Sequence, residues 1–248
     1  MCCGSRCDVK VDVIWKEPGV RKNRLVVASL AAASAAVLAA PAAAQAAVAP
    51  VGPNIIGGST VSSAPWAATV FSNGSFVCSG TIISASYVLT ATHCITGTMS
   101  VRVGSVNRGS GGITSSVTAT STRYDLALMR LSTPITTTYM SLSSSYPPVG
   151  STNSIYGWGL TCYSGCSAST VLKTATVRVT STNQTDNAGG RGILSTMISG
   201  AAWRGDSGGP ETYNGAQVGV ASLADGQSQQ IYGSVAYNRS WITSVAGV

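Results

Sequence analysis

The chain has 248 residues, room for one large domain or two small ones, and only 9% of them are charged. A composition dominated by Ser, Thr, Gly, Ala and Val is too apolar for a disordered chain. Of the formal net charge of +7, only +4 belongs to residues from Ile55 onward, where nine scattered Arg and Lys face five Asp and Glu. No basic cluster with interleaved aromatics exists there, which argues against a nucleic-acid partner.

The first feature in chain order is an apolar run of 16 residues, Leu25–Ala40, preceded by Arg21, Lys22 and Arg24 and followed by the small residues around Ala44-Gln45-Ala46. This pattern predicts a secretory signal peptide cut after Ala46. The run is too short and too rich in alanine for a bilayer span. Residues 1–19, with three cysteines and mixed charges, do not resemble the basic start of a signal; translation beginning near Val20 would explain them. The expected organisation is an extension and signal over 1–46, a short propeptide over 47–54 and one domain over 55–248. The expected product is a secreted monomer with no membrane association after processing.

Export changes how the cysteines read. Four remain, Cys78, Cys94, Cys162 and Cys166. An even count in an oxidising compartment predicts two disulfides, with three pairings open. One histidine in the whole chain makes a Cys/His zinc site a poor fit, and no metal or cofactor is expected.

From Ile55 the pattern is one of short β-type runs broken by Gly, Asn and Ser. Ala68–Ser72 and Ser75–Ile83 flank Asn73-Gly74, a strong two-residue hairpin signal. Val101–Val103, Leu126–Leu131, Ser154–Tyr156, Thr174–Val179 and Gln217–Ala221 also read as strands, being rich in β-branched residues. The only helix expected is terminal, Ser240–Val248. Many short strands with turn signals predict an all-β sandwich or barrel.

The chemistry concentrates in Gly205-Asp206-Ser207-Gly208-Gly209-Pro210. A serine among glycines can sit on a tight turn, with its hydroxyl exposed and neighbouring N–H groups converging on an oxyanion. A serine hydroxyl needs a base. His93 is the only imidazole in the chain, so a Ser/His enzyme must use it. The imidazole in turn needs an orienting carboxylate. Asp206 adjoins the serine, and Asp186 and Asp225 sit in polar Gly-rich loops. Asp125 opens the buried-looking strand Asp-Leu-Ala-Leu-Met-Arg-Leu, where an unpartnered carboxylate would be costly. The order His93, Asp125, Ser207 excludes the α/β-hydrolase and subtilisin arrangements.

Ile55-Ile56-Gly57-Gly58, Thr90-Ala91-Thr92-His93-Cys94, Asp125-Leu126-Ala127-Leu128, Gly157-Trp158-Gly159 and Gly205–Pro210 together resemble, in order, five landmarks of the trypsin/chymotrypsin family. The resemblance implies two packed six-stranded antiparallel β-barrels (roughly 55–140 and 141–248) with the site between them. It implies a serine endopeptidase acting on protein or peptide substrates, with His93, Asp125 and Ser207 catalytic. It also implies an oxyanion hole from the N–H groups of Gly205 and Ser207 and a Cys78–Cys94 bridge, leaving Cys162 and Cys166 to pair locally. Cleavage after Asn54 would free an ammonium on Ile55 to pair with Asp206. Asn54 departs from the Arg or Lys usual there.

Specificity departs further. The position of the trypsin-type pocket aspartate is Ala201, which predicts uncharged P1 residues unless Asp225 or Glu211 reaches the pocket. A wall cysteine is replaced by Trp203, and the substrate-pairing segment is Ser222-Leu223-Ala224. Two other readings remain open at this stage: a catalytically inactive binding protein on the same scaffold, and a secreted esterase using the same triad.

Overall fold

The computed structural model describes residues 55–248. The signal, its cut after Ala46, the propeptide and Asn54 lie outside the described residues. The elements are β1 (Ser59–Thr60), β2 (Ala67–Ser72), β3 (Ser75–Ser84), β4 (Tyr87–Ala91), a 3-10 turn at Thr92–Cys94, β5 (Met99–Val103), β6 (Ile113–Arg123), β7 (Leu126–Leu131), β8 (Thr152–Gly157), β9 (Lys173–Thr185), β10 (Arg191–Met197), β11 (Pro210–Tyr213), β12 (Ala216–Ala224), β13 (Gln229–Ser234) and α1 (Val235–Ala246).

Two closed barrels result. The first runs β2-β3-β4-β7-β6-β5. The second runs β8-β9-β10-β13-β12-β11 and closes through β11–β8, with β1 added on β9. All these pairings are antiparallel, and closure leaves neither barrel with a free edge. The all-β double-barrel expectation holds. The Asn73-Gly74 hairpin is present, with both residues at positive φ (48° and 78°). That is the primed turn geometry whose twist matches the flanking strands.

Both ends of the described region cross to the other barrel. Ile55 is buried with Ile155, Val177 and Tyr232 of the second barrel. Helix α1 carries Val235 and Ile242 into the core of the first, beside Leu89, Leu126 and Val101. The helix begins five residues before the expected start. Ser234 caps it, its hydroxyl accepting from the Tyr237 N–H, and Gly247 ends it in the left-handed region.

The seam between barrels is packed around Trp158. Its ring is fully buried with Ala64, Ala67 and Leu172, and its indole N–H donates to the Val106 carbonyl at 2.9 Å. Truncating such a side chain to alanine costs about 3–5 kcal/mol.

Candidate active site

His93 sits in the 3-10 turn that follows β4. Three bonds fix that turn against the residues around Asp125. The Thr92 hydroxyl donates to the Tyr124 and Leu126 carbonyls (2.8 and 2.9 Å). The Thr92 N–H donates to the Asp125 carbonyl at 3.0 Å. The Cys78–Cys94 disulfide ties the turn to β3. With both sulfurs in that bridge, the Cys78, His93, Cys94 group offers no thiolate for a metal.

Asp125 is 1% exposed and opens β7. Its carboxylate lies 2.9 and 3.0 Å from the His93 Nδ1, and the His93 backbone N–H donates to it at 3.2 Å. The Ser222 hydroxyl donates to Asp125 Oδ2 at 2.5 Å. A carboxylate on Nδ1 fixes the tautomer with Nε2 free to accept a proton. Tyr124, just before Asp125, has φ 51°, an uncommon conformation for a tyrosine. Its ring packs on Tyr237 at 5.7 Å. Backbone held in this region collects at functional sites.

Ser207 comes from the loop between β10 and β11, which lies between the barrels. The Ser79 N–H donates to the Ser207 carbonyl at 2.9 Å, and the Ser79 hydroxyl donates to the Gly205 carbonyl at 3.0 Å. On the other side, the Gly208 N–H donates to Ala221 of β12. Gly208 has no room for a side chain: a Cβ there would stand 2.0 Å from the Thr90 hydroxyl and 2.9 Å from the Ala91 nitrogen. The serine loop therefore abuts the end of β4, where the histidine turn begins. Among the described residues, the N–H groups of Asp206, Gly208 and Gly209 donate to protein carbonyls, while those of Gly205 and Ser207 donate to none.

Asp206 is buried and accepts from the Gly159 and Trp203 N–H groups (2.8 and 2.9 Å). Burial pushes its carboxyl up to about 7, against the pull of those two bonds. The Gly-Trp-Gly landmark has a physical reason here. A Cβ on Gly157 or Gly159 would come within 2.2 or 2.5 Å of the Asp206 carboxylate. Ile55 is 1% exposed, and the Ala201 N–H donates to the carbonyl of its neighbour Ile56, so the start of the domain lies against the strand leading to this loop.

A cavity beside Ser207 is lined by Ala202, Trp203, Arg204, Asp206, Ala221, Ser222, Leu223 and Ala224. Ser222, Leu223 and Ala224, expected at the substrate-binding edge, are among the lining residues. Ala201 does not line this cavity. It is turned inward, fully buried, because its backbone bridges to Ile56; Ala202 takes the lining position. Glu211 does not reach the cavity, being buried on Asn153 and Ser195. Asp225 caps its own turn: burial raises its pKa, but the bonds from the N–H groups of Gln227, Ser228 and Gln229 and from the Ser228 hydroxyl together outweigh that and lower it. Trp203 fills the place of the missing wall cysteine. It stacks on Tyr163 at 5.1 Å and 16°, and a Cβ on Gly226 would stand 2.5 Å from its indole. Tyr163 is carried on the small loop closed by the Cys162–Cys166 disulfide.

Two supporting residues escaped the sequence. Asp186, set aside as a loop acid, is 4% exposed, accepts from the Ala188 and Gly190 N–H groups and lies 3.4 Å from the Asp125 nitrogen. Ser222, expected only to line the substrate edge, also braces Asp125 and accepts from the Asn187 N–H at 2.9 Å.

Residues 55–242 match the family model described as Trypsin. This chain belongs to the trypsin family. It is 34% identical over 223 residues to trypsin delta of Drosophila melanogaster, covering 77% of this chain and 88% of that protein. It is 32% identical, at the same coverage, to trypsin iota of the same fly. Among solved structures it resembles mouse neuropsin, a serine protease expressed in the limbic system, with TM-score 0.66, 24% identity and coverage of 73% of this chain and 94% of that one. It also resembles human heparin binding protein, with TM-score 0.67, 24% identity and coverage of 77% and 96%; at that identity these two likenesses speak for the fold. Family membership makes the protein a serine endopeptidase.

Proposed function

We propose that this trypsin-family protein is a secreted endopeptidase whose catalytic residues are His93, Asp125 and Ser207. Its substrate pocket takes uncharged P1 side chains, and it becomes active after cleavage before Ile55. The observation that carries the assignment is the chain's single imidazole, held by Nδ1 on a buried carboxylate that a serine hydroxyl also braces. His93 Nε2 would take the Ser207 proton as Oγ attacks the peptide carbonyl, and Asp125 would stabilise the imidazolium. The unspent N–H groups of Gly205 and Ser207 would receive the oxyanion. His93 would then hand its proton to the leaving amine, and water would release the acyl-enzyme.

The pocket preference rests on its lining. The one acid there, Asp206, is occupied by two backbone N–H groups, so a Lys or Arg side chain would lose its hydration without a free counter-charge. Activation rests on Asp206, a buried carboxylate with no cation beside it among the described residues of the uncut chain. An ammonium on Ile55 would supply one. Secretion rests on the predicted signal and on the two disulfides.

Labelling with a fluorophosphonate probe tests the assignment. Protein cut before Ile55 should label, and the Ser207→Ala variant and uncut protein should not. Labelling that persists in Ser207→Ala would remove the assignment.

A further inference from the structure

The serine loop is bounded by different elements on its two sides, and this orients a substrate. The acyl half of a peptide has its cavity and its strand edge on the β12 side, at Ser222, Leu223 and Ala224. The leaving-group half must then run off the opposite side, over β3, which holds the loop through Ser79. The ring of Phe76, in β3, lies there. Its edge is 3.2 Å from where a Cβ on Gly205 would stand.

Two arginines flank this path. The Arg108 guanidinium stacks over the Phe76 ring, 4.5 Å from its centre, and its Nε donates to the Ser169 carbonyl at 2.9 Å. It is thereby held in place with its two terminal nitrogens unspent. Arg204, next to Gly205, lies 5.4 Å over Trp203 and is exposed at the cavity rim. No carboxylate pairs with either: the only ion pair among the described residues is His93–Asp125. Four of the five acids from Ile55 onward are buried. The exposed one, Asp225, stands on the acyl side, beyond Ala224. Arg108 therefore stands toward the leaving-group end of the site, Arg204 at the rim between the two ends, and the one exposed carboxylate toward the acyl end.

We infer that the protease selects substrates with a carboxylate on the leaving-group side of the scissile bond, received by Arg108 and Arg204. The Arg108 guanidinium is one ring beyond the oxyanion loop, the Phe76 edge being 3.2 Å from a Cβ on Gly205 and the guanidinium 4.5 Å from the ring centre; at about 3.3 Å per residue of extended chain, the second or third residue after the cut would reach it. A Glu or Asp side chain there, or the free carboxyl terminus of a short substrate, offers the same group. Arginine suits it, because its planar fork can bond both oxygens and stays charged. This inference rests on Ser207 being the nucleophile.

The test uses protein cut before Ile55 and quenched peptides identical but for Glu or Gln at the second or third position after the cut, each with an amidated or free terminus. The readout is the Glu/Gln ratio of kcat/KM within each protein, which a general loss of activity does not move. Partly exposed ion pairs of this kind predict a ratio of about five at low salt, falling toward one in 1 M salt. Arg108→Gln and Arg204→Gln should each lower it, and Arg108→Lys should keep most of it. Preference for a free terminus over an amide, without Glu/Gln discrimination, would assign the arginines to a terminal carboxylate. A ratio near one for both peptide sets with no preference for a free terminus, or a carboxylate preference unchanged in both Gln variants, overturns the inference. If Arg108→Gln does not fold, Arg204→Gln and the salt series decide. Absence of any hydrolysis would count against the triad reading instead. The same peptides, bound to Ser207→Ala, would then show whether the carboxylate is still preferred or the inference falls as well.

Discussion

Glu211 is fully buried in the second barrel, and burial holds its carboxyl at about 7 instead of 4.5, despite bonds from Ser195 and Asn153. The folded protein therefore keeps a proton that the unfolded chain releases between those values. For a raised acid this stabilises the fold at low pH, and the benefit is lost as pH rises from 4.5 through 7. At 1.36 kcal/mol per unit the full swing is about 3 kcal/mol. Glu211→Gln removes the titration while its carbonyl still accepts from Asn153 and Ser195. Its amide takes the place of Oε2, which has no partner, and a stranded buried donor costs about 1–3 kcal/mol. The protonated carboxyl also carries its proton on that partnerless oxygen, so the two proteins should differ least at pH 4.5. By pH 8 the difference should have moved in the variant's favour by about 3 kcal/mol, whatever the amide costs. Denaturant melts of both proteins on the Ser207→Ala background, which prevents self-digestion, give the two curves. Parallel stability–pH profiles would refute the reasoning.

Asp206 offers a related check, since burial raises it to about 7 in the uncut chain. Uncut protein should lose stability as pH rises through 7, whereas an Ile55 ammonium beside Asp206 would depress its pKa and reverse that slope. Melts of cut and uncut protein across pH 5 to 8 compare the two. Ser222→Ala removes a donor to Asp125. A bond to a charged group contributes about 1.5–3 kcal/mol, so kcat should fall roughly ten- to a hundredfold while fluorophosphonate labelling slows but persists. Gly159→Ala forces a methyl against the Asp206 carboxylate. It should destabilise the fold by more than about 2 kcal/mol in denaturant melts and slow labelling of Ser207 with it.

Sequence reasoning reached the strands whose side chains announce themselves. β7 was read at its full extent because Leu126–Leu131 is apolar except at Arg130. β6 was passed over because Ile113–Arg123 is mostly Ser and Thr with mostly exposed side chains, and its pairing with β5 and β7, not its pattern, makes it a strand. β13 hides in the same way behind Gln229-Gln230, although Gln230 is buried and bonds to Ala202 and Ser195. The start of α1 was missed because only Val235, Asn238 and Ile242 are buried along it, too sparse a stripe to show a period. At the site, the rarity of histidine and the order of motifs singled out His93, Asp125 and Ser207. Asp186 and Ser222 could not be found that way. They act on Asp125 from 61 and 97 positions away, and nothing in their local sequence distinguishes them from ordinary loop and strand residues.

The placement of α1 also bears on how such a chain can be made. The first barrel draws Val220, Val235 and Ile242 into its core, so its interior stays incomplete until the chain has been synthesised through Ile242. A ribosome delivering this protein releases its N-terminal half long before that half can settle. The first barrel can therefore complete its core only once Ile242 has left the ribosome.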